Sequence, residues 1–187
     1  YCLLPFSFTG LGSLNNFEGV SLKTITAQDL YNFTKCHHRV YLDTNGNPEE
    51  RVEVGSFVKL LWELGLQTER EYIASIGEVM VEDLESLSLE TASGETLRLM
   101  KAGVPLIYQG CLMDEVYVGR PDLLVKREDS ESRWGSYLYE AIDIKAGRGW
   151  EGGGSRKPKF KEHYAFQILF YRMLLQRIQG AVVSLGR

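Results

Sequence analysis

Residues 137–145, Tyr-Leu-Tyr-Glu-Ala-Ile-Asp-Ile-Lys, decide how the fold is interpreted. The stretch is rich in aromatic and β-branched residues, as in a buried strand. Side chains alternate between the two faces of a strand, so Asp143 and Lys145 lie on one face while Ile142 and Ile144 lie on the other. A carboxylate and an ammonium are therefore presented together at the end of this strand.

Two strand-like stretches precede this one, over residues 106–118 and 120–126. Turns at Gly119 and at residues 128–135 separate the three stretches, and this spacing predicts an antiparallel meander. Asp122 opens the second strand, with twenty residues between it and Asp143. In a hairpin the two carboxylates can converge, and oxygen ligands of this kind suit Mg²⁺ or Mn²⁺.

An Asp-x-Lys sequence is common, so a same-face ion pair on an exposed strand is an alternative interpretation of Asp143 and Lys145. The apolar residues around them favour buried strands, namely Ile142, Ile144, Leu123, Leu124 and Val125. Buried charges are costly unless they bind each other or a metal ion.

Helical patterns surround the meander. A capping box at residues 26–29 predicts a helix that starts near Ala27 with Leu30, Tyr31 and Phe33 turned inward. Turn-forming residues predict a loop over 43–48. Further helices are predicted over 56–76, 81–87, 95–101 and 162–178, and an apolar tail, 181–185, is predicted to begin another strand. Phe57, Leu60, Leu61 and Leu64 share one stripe of the 56–76 helix.

The last helix carries Tyr164, Gln167 and Tyr171 on one stripe. An aromatic stripe at helical spacing is more often core than site. Gln167 is the unusual member, because an inward-facing amide needs hydrogen-bonding partners, which a phosphate, a base or a site residue could supply.

Composition indicates one domain over residues 1–187, with 1–22 as an N-terminal extension and the whole as a fragment of a longer protein. Three cysteines without paired spacing argue against disulfides or a zinc site and favour a cytoplasmic, intracellular location. The sequence holds no apolar run long enough to span a bilayer, so no membrane partner is expected.

The charge is unevenly distributed, although the net charge is only -4. Residues 69–95 are acidic, whereas residues 145–161 form a basic, glycine-rich loop. A charge run is usually a solvated surface, but a basic loop is also what phosphate binding requires. The candidate contacts to nucleic acid in this loop are Arg148, Arg156, Lys157, Lys159 and Lys161.

Three motifs follow one another along the chain: Gly-Arg-Pro-Asp at 119–122, Ile-Asp-Ile-Lys at 142–145, and Tyr164-x-x-Gln167-x-x-x-Tyr171. Together they resemble motifs of RecB-like nucleases of the PD-(D/E)XK superfamily, and the similarity extends over about residues 26–176. The resemblance implies an α/β fold with a restriction-endonuclease-like core, in which a mixed central sheet is flanked by helices.

The resemblance also implies roles for these residues. Asp122, Asp143 and the backbone carbonyl of Ile144 would bind Mg²⁺ or Mn²⁺, and Lys145 would position or activate the attacking water and offset transition-state charge. Gln167 and Tyr171 would orient the site and contact the strand, with Tyr164 as a further nucleic-acid contact.

The chain departs from the family pattern in two places. Thr68 stands where relatives commonly have a metal-binding His, and Thr68 cannot replace an imidazole as a strong ligand. Glu69 beside it is expected either to hold the metal, directly or through water, or to be a surface helix residue. Cys36 matches one cysteine of an iron-sulfur branch, but the three downstream cysteines are missing, so no cluster is expected.

The expected function is that of a metal-dependent phosphodiesterase acting on DNA, an exonuclease or endonuclease of the kind used in DNA repair. A catalytically weak or inactive nucleic-acid-binding module is the alternative, and an interaction domain is a third. Additional domains or helicase-type partners are expected in a longer protein.

Overall fold

The computed structural model describes residues 24–76, 81–84, 86–147, 149–152, 157 and 159–181. The helices are α1 (Ala27–Lys35), α2 (His37–Asn45), α3 (Ser56–Ser75), α4 (Leu89–Ala102) and α5 (Glu162–Gln179), with a 3₁₀ turn at Pro48–Glu50. The strands are β1 (Ile25–Thr26), β2 (Val81–Asp83), β3 (Leu106–Tyr108), β4 (Leu112–Asp114), β5 (Tyr117–Gly119), β6 (Leu123–Arg127), β7 (Leu138–Ile142), β8 (Trp150–Glu151) and β9 (Lys159–Phe160).

The central sheet has the order β2-β3-β6-β7 and is mixed. Strand β2 runs parallel to β3, whereas β3 and β7 are both antiparallel to β6. A smaller sheet has the order β1-β5-β4, and β8 pairs with β9 in a hairpin. The predicted α/β class with a mixed sheet and helices is therefore confirmed.

The two faces of the central sheet pack against different helices. Ile107, Leu124 and Tyr139 face one core, which they share with residues of α4 and α5. The alternate positions Leu106, Tyr108 and Leu123 form a second cluster with Ile73 and Ile76 near the end of α3. The period of two along each strand thus fixes which side chains meet α5 and which meet α3.

Local sequence explains where several helices begin and end. The predicted capping box is present: Thr26 accepts a hydrogen bond from the Asp29 backbone, and the Asp29 carboxylate accepts one from the Thr26 backbone. Helices α4 and α5 end at Gly103 and Gly180, which adopt left-handed φ angles of 70° and 65° that glycine tolerates without strain. Among the helices of the described residues, none is long and apolar enough to cross a membrane.

Three predicted elements are wrong. Residues 81–83 form the parallel strand β2, because pairing with β3 overrides a local pattern that also suits a helix. Residues 106–118 form three short strands, because Gln109 and Glu115 take positive φ angles of 53° and 52° and turn the chain. The predicted loop at 43–48 begins late, since α2 continues to Asn45.

Several predicted apolar contacts are also absent from the described residues. Phe33 is exposed, and so is the apolar stripe of α3, consisting of Phe57, Leu60, Leu61 and Leu64. The expected N-terminal extension 1–22 and nearly all of the expected strand at 181–185 lie outside the described residues.

Candidate active site

Two carboxylates meet where β6 begins and β7 ends. Leu123 of β6 pairs with Ile142 of β7. The residues that flank this pair, Asp122 and Asp143, therefore lie on adjacent segments of the same hairpin. The Asp122 Oδ2 atom accepts a hydrogen bond of 2.5 Å from the backbone N–H of Ile144. The register of one hairpin therefore brings together the two acids predicted from the sequence.

Lys145 pairs with Asp143 on the same face of the chain. The Lys145 Nζ atom lies 2.6 Å from Asp143 Oδ2, and the two side chains are 32% and 4% exposed. The alternative of a same-face ion pair is thus correct in that the pair exists. The pair is not fully exposed, because the Asp143 side chain is buried, whereas Lys145 reaches solvent.

Helix α5 supports the opposite oxygen of Asp143. Gln167 donates hydrogen bonds from Nε2 to Asp143 Oδ1 at 2.9 Å and to the Tyr171 hydroxyl at 3.1 Å. Tyr171 in turn donates to the backbone carbonyl of Arg120 at 3.2 Å. Gln167 is therefore partnered by a site carboxylate, as its inward-facing amide required.

Gly119 allows α5 to approach the site. A Cβ atom at this position would lie 2.8 Å from ring carbon Cδ1 of Tyr171 and 2.8 Å from Leu174 Cδ1. Such contacts are too short for any larger residue unless the Tyr171 and Leu174 side chains move. The glycine of the Gly-Arg-Pro-Asp motif therefore keeps the Tyr171 hydroxyl within reach of the backbone beside Asp122.

Glu69 of α3 lies near the same two acids, Asp122 and Asp143. Its side chain is buried, at 8% exposure, and Oε1 accepts a hydrogen bond of 2.6 Å from Gln109 Nε2. The interpretation of Glu69 as a surface residue is therefore wrong. Thr68 does not contribute in the same way, since its hydroxyl donates to the Leu64 carbonyl within α3.

The electrostatics of the site are those of crowded carboxylates. Burial raises the pKa of Asp122 to about 6, the Ile144 N–H opposes the rise, and the charges of Asp143 and Glu69 add to it. Burial also raises the pKa of Asp143, with the Lys145 ammonium acting in the opposite direction. Both acids therefore experience an environment that disfavours their charge, and one ammonium offsets it only in part.

The donor atoms at the site are all oxygens of carboxylates, together with the nearby backbone of residue 144. This chemistry fits a hard divalent cation, with Asp122, Asp143 and Glu69 as candidate ligands. Within the part of the chain that is described, no three His, Cys, Asp or Glu side chains already stand as a metal-binding group. Protein donors occupy both carboxylate oxygens of Asp143 and one carboxylate oxygen of Glu69.

Tyr164 lies next to the site on α5, with two lysines over its ring. Lys161 Nζ is 5.1 Å and Lys145 Nζ is 5.8 Å from the ring centroid, and His163 packs edge-on at 4.5 Å. Cation–π attraction of this kind holds basic side chains near an aromatic surface.

The predicted basic loop is only partly described. Lys157 is exposed, and Lys159 forms an ion pair of 2.9 Å with Glu162. Arg148 and Arg156 lie outside the described residues.

Sequence reasoning missed Gln109 and Arg120. Arg120 donates hydrogen bonds to the backbone carbonyls of Gln109 and Leu84, and Gln109 bonds to Glu69. Arg120 stands in the Gly-Arg-Pro-Asp motif without an assigned role, and the signal for Gln109 was weak: a lone amide that directly follows the apolar residues Leu106–Tyr108. Their partners are forty and thirty-six residues away, and no local pattern identifies such pairs.

Comparison with known proteins gives no significant match to a family model, to a curated protein or to a solved structure. The resemblance to RecB-like nucleases therefore depends on the motif residues of the sequence alone.

Proposed function

We propose that the chain is a divalent-metal-dependent nuclease that hydrolyses phosphodiester bonds of DNA, with a restriction-endonuclease-like core of the RecB-like type. The supporting observation is that Asp122 lies near the Asp143–Lys145 pair and that the Glu69 carboxylate is near enough to raise the pKa of both acids. Two of these acids and the lysine belong to motifs that resemble those of this nuclease group.

The charge balance of the site supports a cation. The charges of Asp143 and Glu69 raise the pKa of the Asp122 carboxyl, and the Lys145 ammonium lowers it. Surplus negative charge in a partly buried place is costly unless a counter-ion compensates it. A divalent ion would remove that cost. An ion pair between Asp143 and Lys145 alone would not, because the charges of Asp122 and Glu69 would remain uncompensated.

In the proposed reaction, Asp122, Asp143 and Glu69 would hold Mg²⁺ or Mn²⁺, with the Ile144 backbone as a further candidate. The bound ion supplies polarisation of the scissile phosphate and a water of lowered pKa. Lys145 would place its ammonium against a phosphate oxygen and stabilise the negative charge that grows there in the transition state. Gln167 would keep the Asp143 carboxylate oriented, and Tyr171 would fix Gln167 through its bond to the Arg120 carbonyl.

Cleavage assays test this proposal. Purified protein is incubated with labelled single- and double-stranded DNA and RNA in Mg²⁺, Mn²⁺ or chelator, beside Asp143→Asn. The matched control is Glu140→Gln, which changes a carboxylate of the same strand β7 that pairs with Arg127 away from the site. We expect metal-dependent cutting of DNA by the wild type and the control, and none by Asp143→Asn.

Other results would decide against parts of the proposal. Binding of DNA without cutting in either metal would favour the inactive nucleic-acid-binding module. Cutting that survives in Asp143→Asn would assign the activity to a contaminant or to another site. Cutting of RNA alone would keep the chemistry and change the substrate.

A further inference from the structure

Gln109 occupies the space between two acids of the site. Its Nε2 atom lies 2.6 Å from Glu69 Oε1 and 3.5 Å from Asp122 Oδ1. One amide group therefore faces a carboxylate of α3 and a carboxylate at the start of β6. The contact to Glu69 is short and joins residues forty positions apart, whereas the contact to Asp122 is long.

The backbone of Gln109 is held firmly in an uncommon conformation. Its φ angle of 53° lies in the left-handed region, which residues other than glycine rarely adopt. Its N–H donates to the Asp122 carbonyl at 3.0 Å, and its own carbonyl accepts from Arg120 Nε at 3.0 Å. Strain of this kind persists only where the surroundings impose it, and it commonly marks a functional position.

Helix α3 packs on the sheet near its C-terminal end. Ile73 and Ile76 lie against the sheet, while residues in the first half of the helix, such as Phe57 and Trp62, are 69% and 58% exposed. The Glu69 side chain lies between these two parts of the helix, and the amide of Gln109 holds one of its carboxylate oxygens. A long acidic side chain without that bond has several rotamers and loses its fixed orientation.

We propose that Gln109 is a positioning residue that holds Glu69 toward the divalent cation, with Arg120 fixing the Gln109 backbone. This inference rests on the proposed nuclease function. Outer partners of metal ligands typically contribute about 10–100-fold to metal affinity. Loss of the amide should therefore weaken metal binding without removing Asp122 or Asp143 from the site.

Calorimetric titration of Mn²⁺ into the full chain tests the inference with two variants. Gln109→Met keeps the length of the side chain and its strained backbone but removes the hydrogen bond, whereas Gln109→Gly also relieves the φ angle. We expect the Mn²⁺ dissociation constant to rise about 10-fold or more in both. The melting temperature of each metal-free variant is measured beside that of the wild type, and a variant that is fully folded at the titration temperature separates loss of affinity from loss of folding.

A double-mutant cycle with Glu69→Gln identifies the route of the effect. If Gln109 acts through Glu69, the Gln109→Met/Glu69→Gln protein binds Mn²⁺ no more weakly than Glu69→Gln alone. Additive losses, or variants that bind as tightly as the wild type, overturn the inference and leave the proposed function standing. A wild-type chain that binds no Mn²⁺ overturns the proposed function, and the inference with it.

Discussion

The Asp122 carboxylate accepts a hydrogen bond from the backbone of Ile144, the residue between Asp143 and Lys145. This bond joins two motifs that are separated along the chain. It holds the Asp122 carboxylate beside the segment that carries Asp143 and Lys145. Because a carboxylate oxygen accepts the bond, Asp122 is already oriented before any ligand arrives.

Replacement of Asp122 by Asn should abolish cleavage and increase metal-free stability. The pKa of Asp122 is raised in the folded state, so its stabilising contribution is present below the unfolded value of 3.8 and is lost as pH rises through about 6. At pH 8 the wild type bears the cost of a buried charge, which Asn removes while it can still accept the Ile144 bond. We expect a gain of about 1–2 kcal/mol, allowing for partial exposure, by thermal or urea unfolding in chelator.

Glu140→Gln serves as the control for this measurement, since Glu140 of β7 pairs with Arg127 at the far end of β6 from Asp122. Its stability at pH 8 should stay level or fall slightly. A metal-free Asp122→Asn protein that is less stable than the wild type at pH 8 would show that Asp122 contributes to the fold through its charge.

Metal affinity should fall at mildly acidic pH. A metal ion binds the deprotonated carboxylate, and Asp122 takes up a proton below about 6. The Mn²⁺ association constant should be nearly level above pH 7 and then decrease by about tenfold per pH unit below 6, if one proton is displaced. Calorimetry at pH 5, 6, 7 and 8 gives this slope directly, and an affinity that is constant over the range contradicts the assignment of Asp122 as a ligand.

Lys145→Met should have two separate effects, one on the cleavage rate and one on metal-free stability. The variant loses the ammonium that would stabilise transition-state charge, for which a loss of about 100-fold or more in kcat is expected. It also leaves Asp143, which is 4% exposed, without its cationic partner, so metal-free stability should fall. Mn²⁺ at saturating concentration should restore much of the stability but not the rate.

Lys126→Met is the matched control, because Lys126 likewise pairs with a carboxylate two residues away, that of Glu128. Its cleavage rate should remain close to that of the wild type. If Lys145→Met regains the wild-type rate in excess Mn²⁺, the ammonium acts only as a structural counter-ion of Asp143.

Much of the site follows from local sequence rules. Alternation along a strand places Asp143 and Lys145 together, and a hairpin of ordinary register brings Asp122 beside them. Helical periodicity places Gln167 and Tyr171 on one face of α5. In each case a period of two or 3.6 residues determines the geometry, and such periods can be read directly from the sequence.

The remaining features depend on contacts that no local pattern specifies. The burial of Glu69 requires the placement of α3, and the positive φ of Gln109 requires that Arg120 and Asp122 hold its backbone. Strand β2 likewise forms only because β3 is available as a parallel neighbour. Tertiary pairing overrides local propensity at these places, so the sequence pattern alone predicted a helix over residues 81–87.

The last prediction concerns the basic residues before α5. Lys161 lies near the Tyr164 ring beside the site, and Lys157 is exposed, whereas Lys159 is already paired with Glu162. The two lysines without a described carboxylate partner are the better phosphate contacts. Each phosphate contact adds about 0.9 to the slope of log affinity against log salt for duplex DNA and about 0.7 for single strands.

Lys157→Ala/Lys161→Ala should therefore flatten the salt slope by about 1.4–1.8 and weaken binding to the same extent for unrelated sequences, because phosphate contacts carry no sequence information. Fluorescence anisotropy in Ca²⁺, chosen to suppress cutting, measures the slope. The matched control is Lys101→Ala/Arg127→Ala, which also removes two exposed positive charges. Of these two residues, Arg127 lies at the far end of β6 from Asp122. An equal change of slope in both double variants would mean that only net charge matters, while an unchanged slope in the first would place the nucleic acid away from α5.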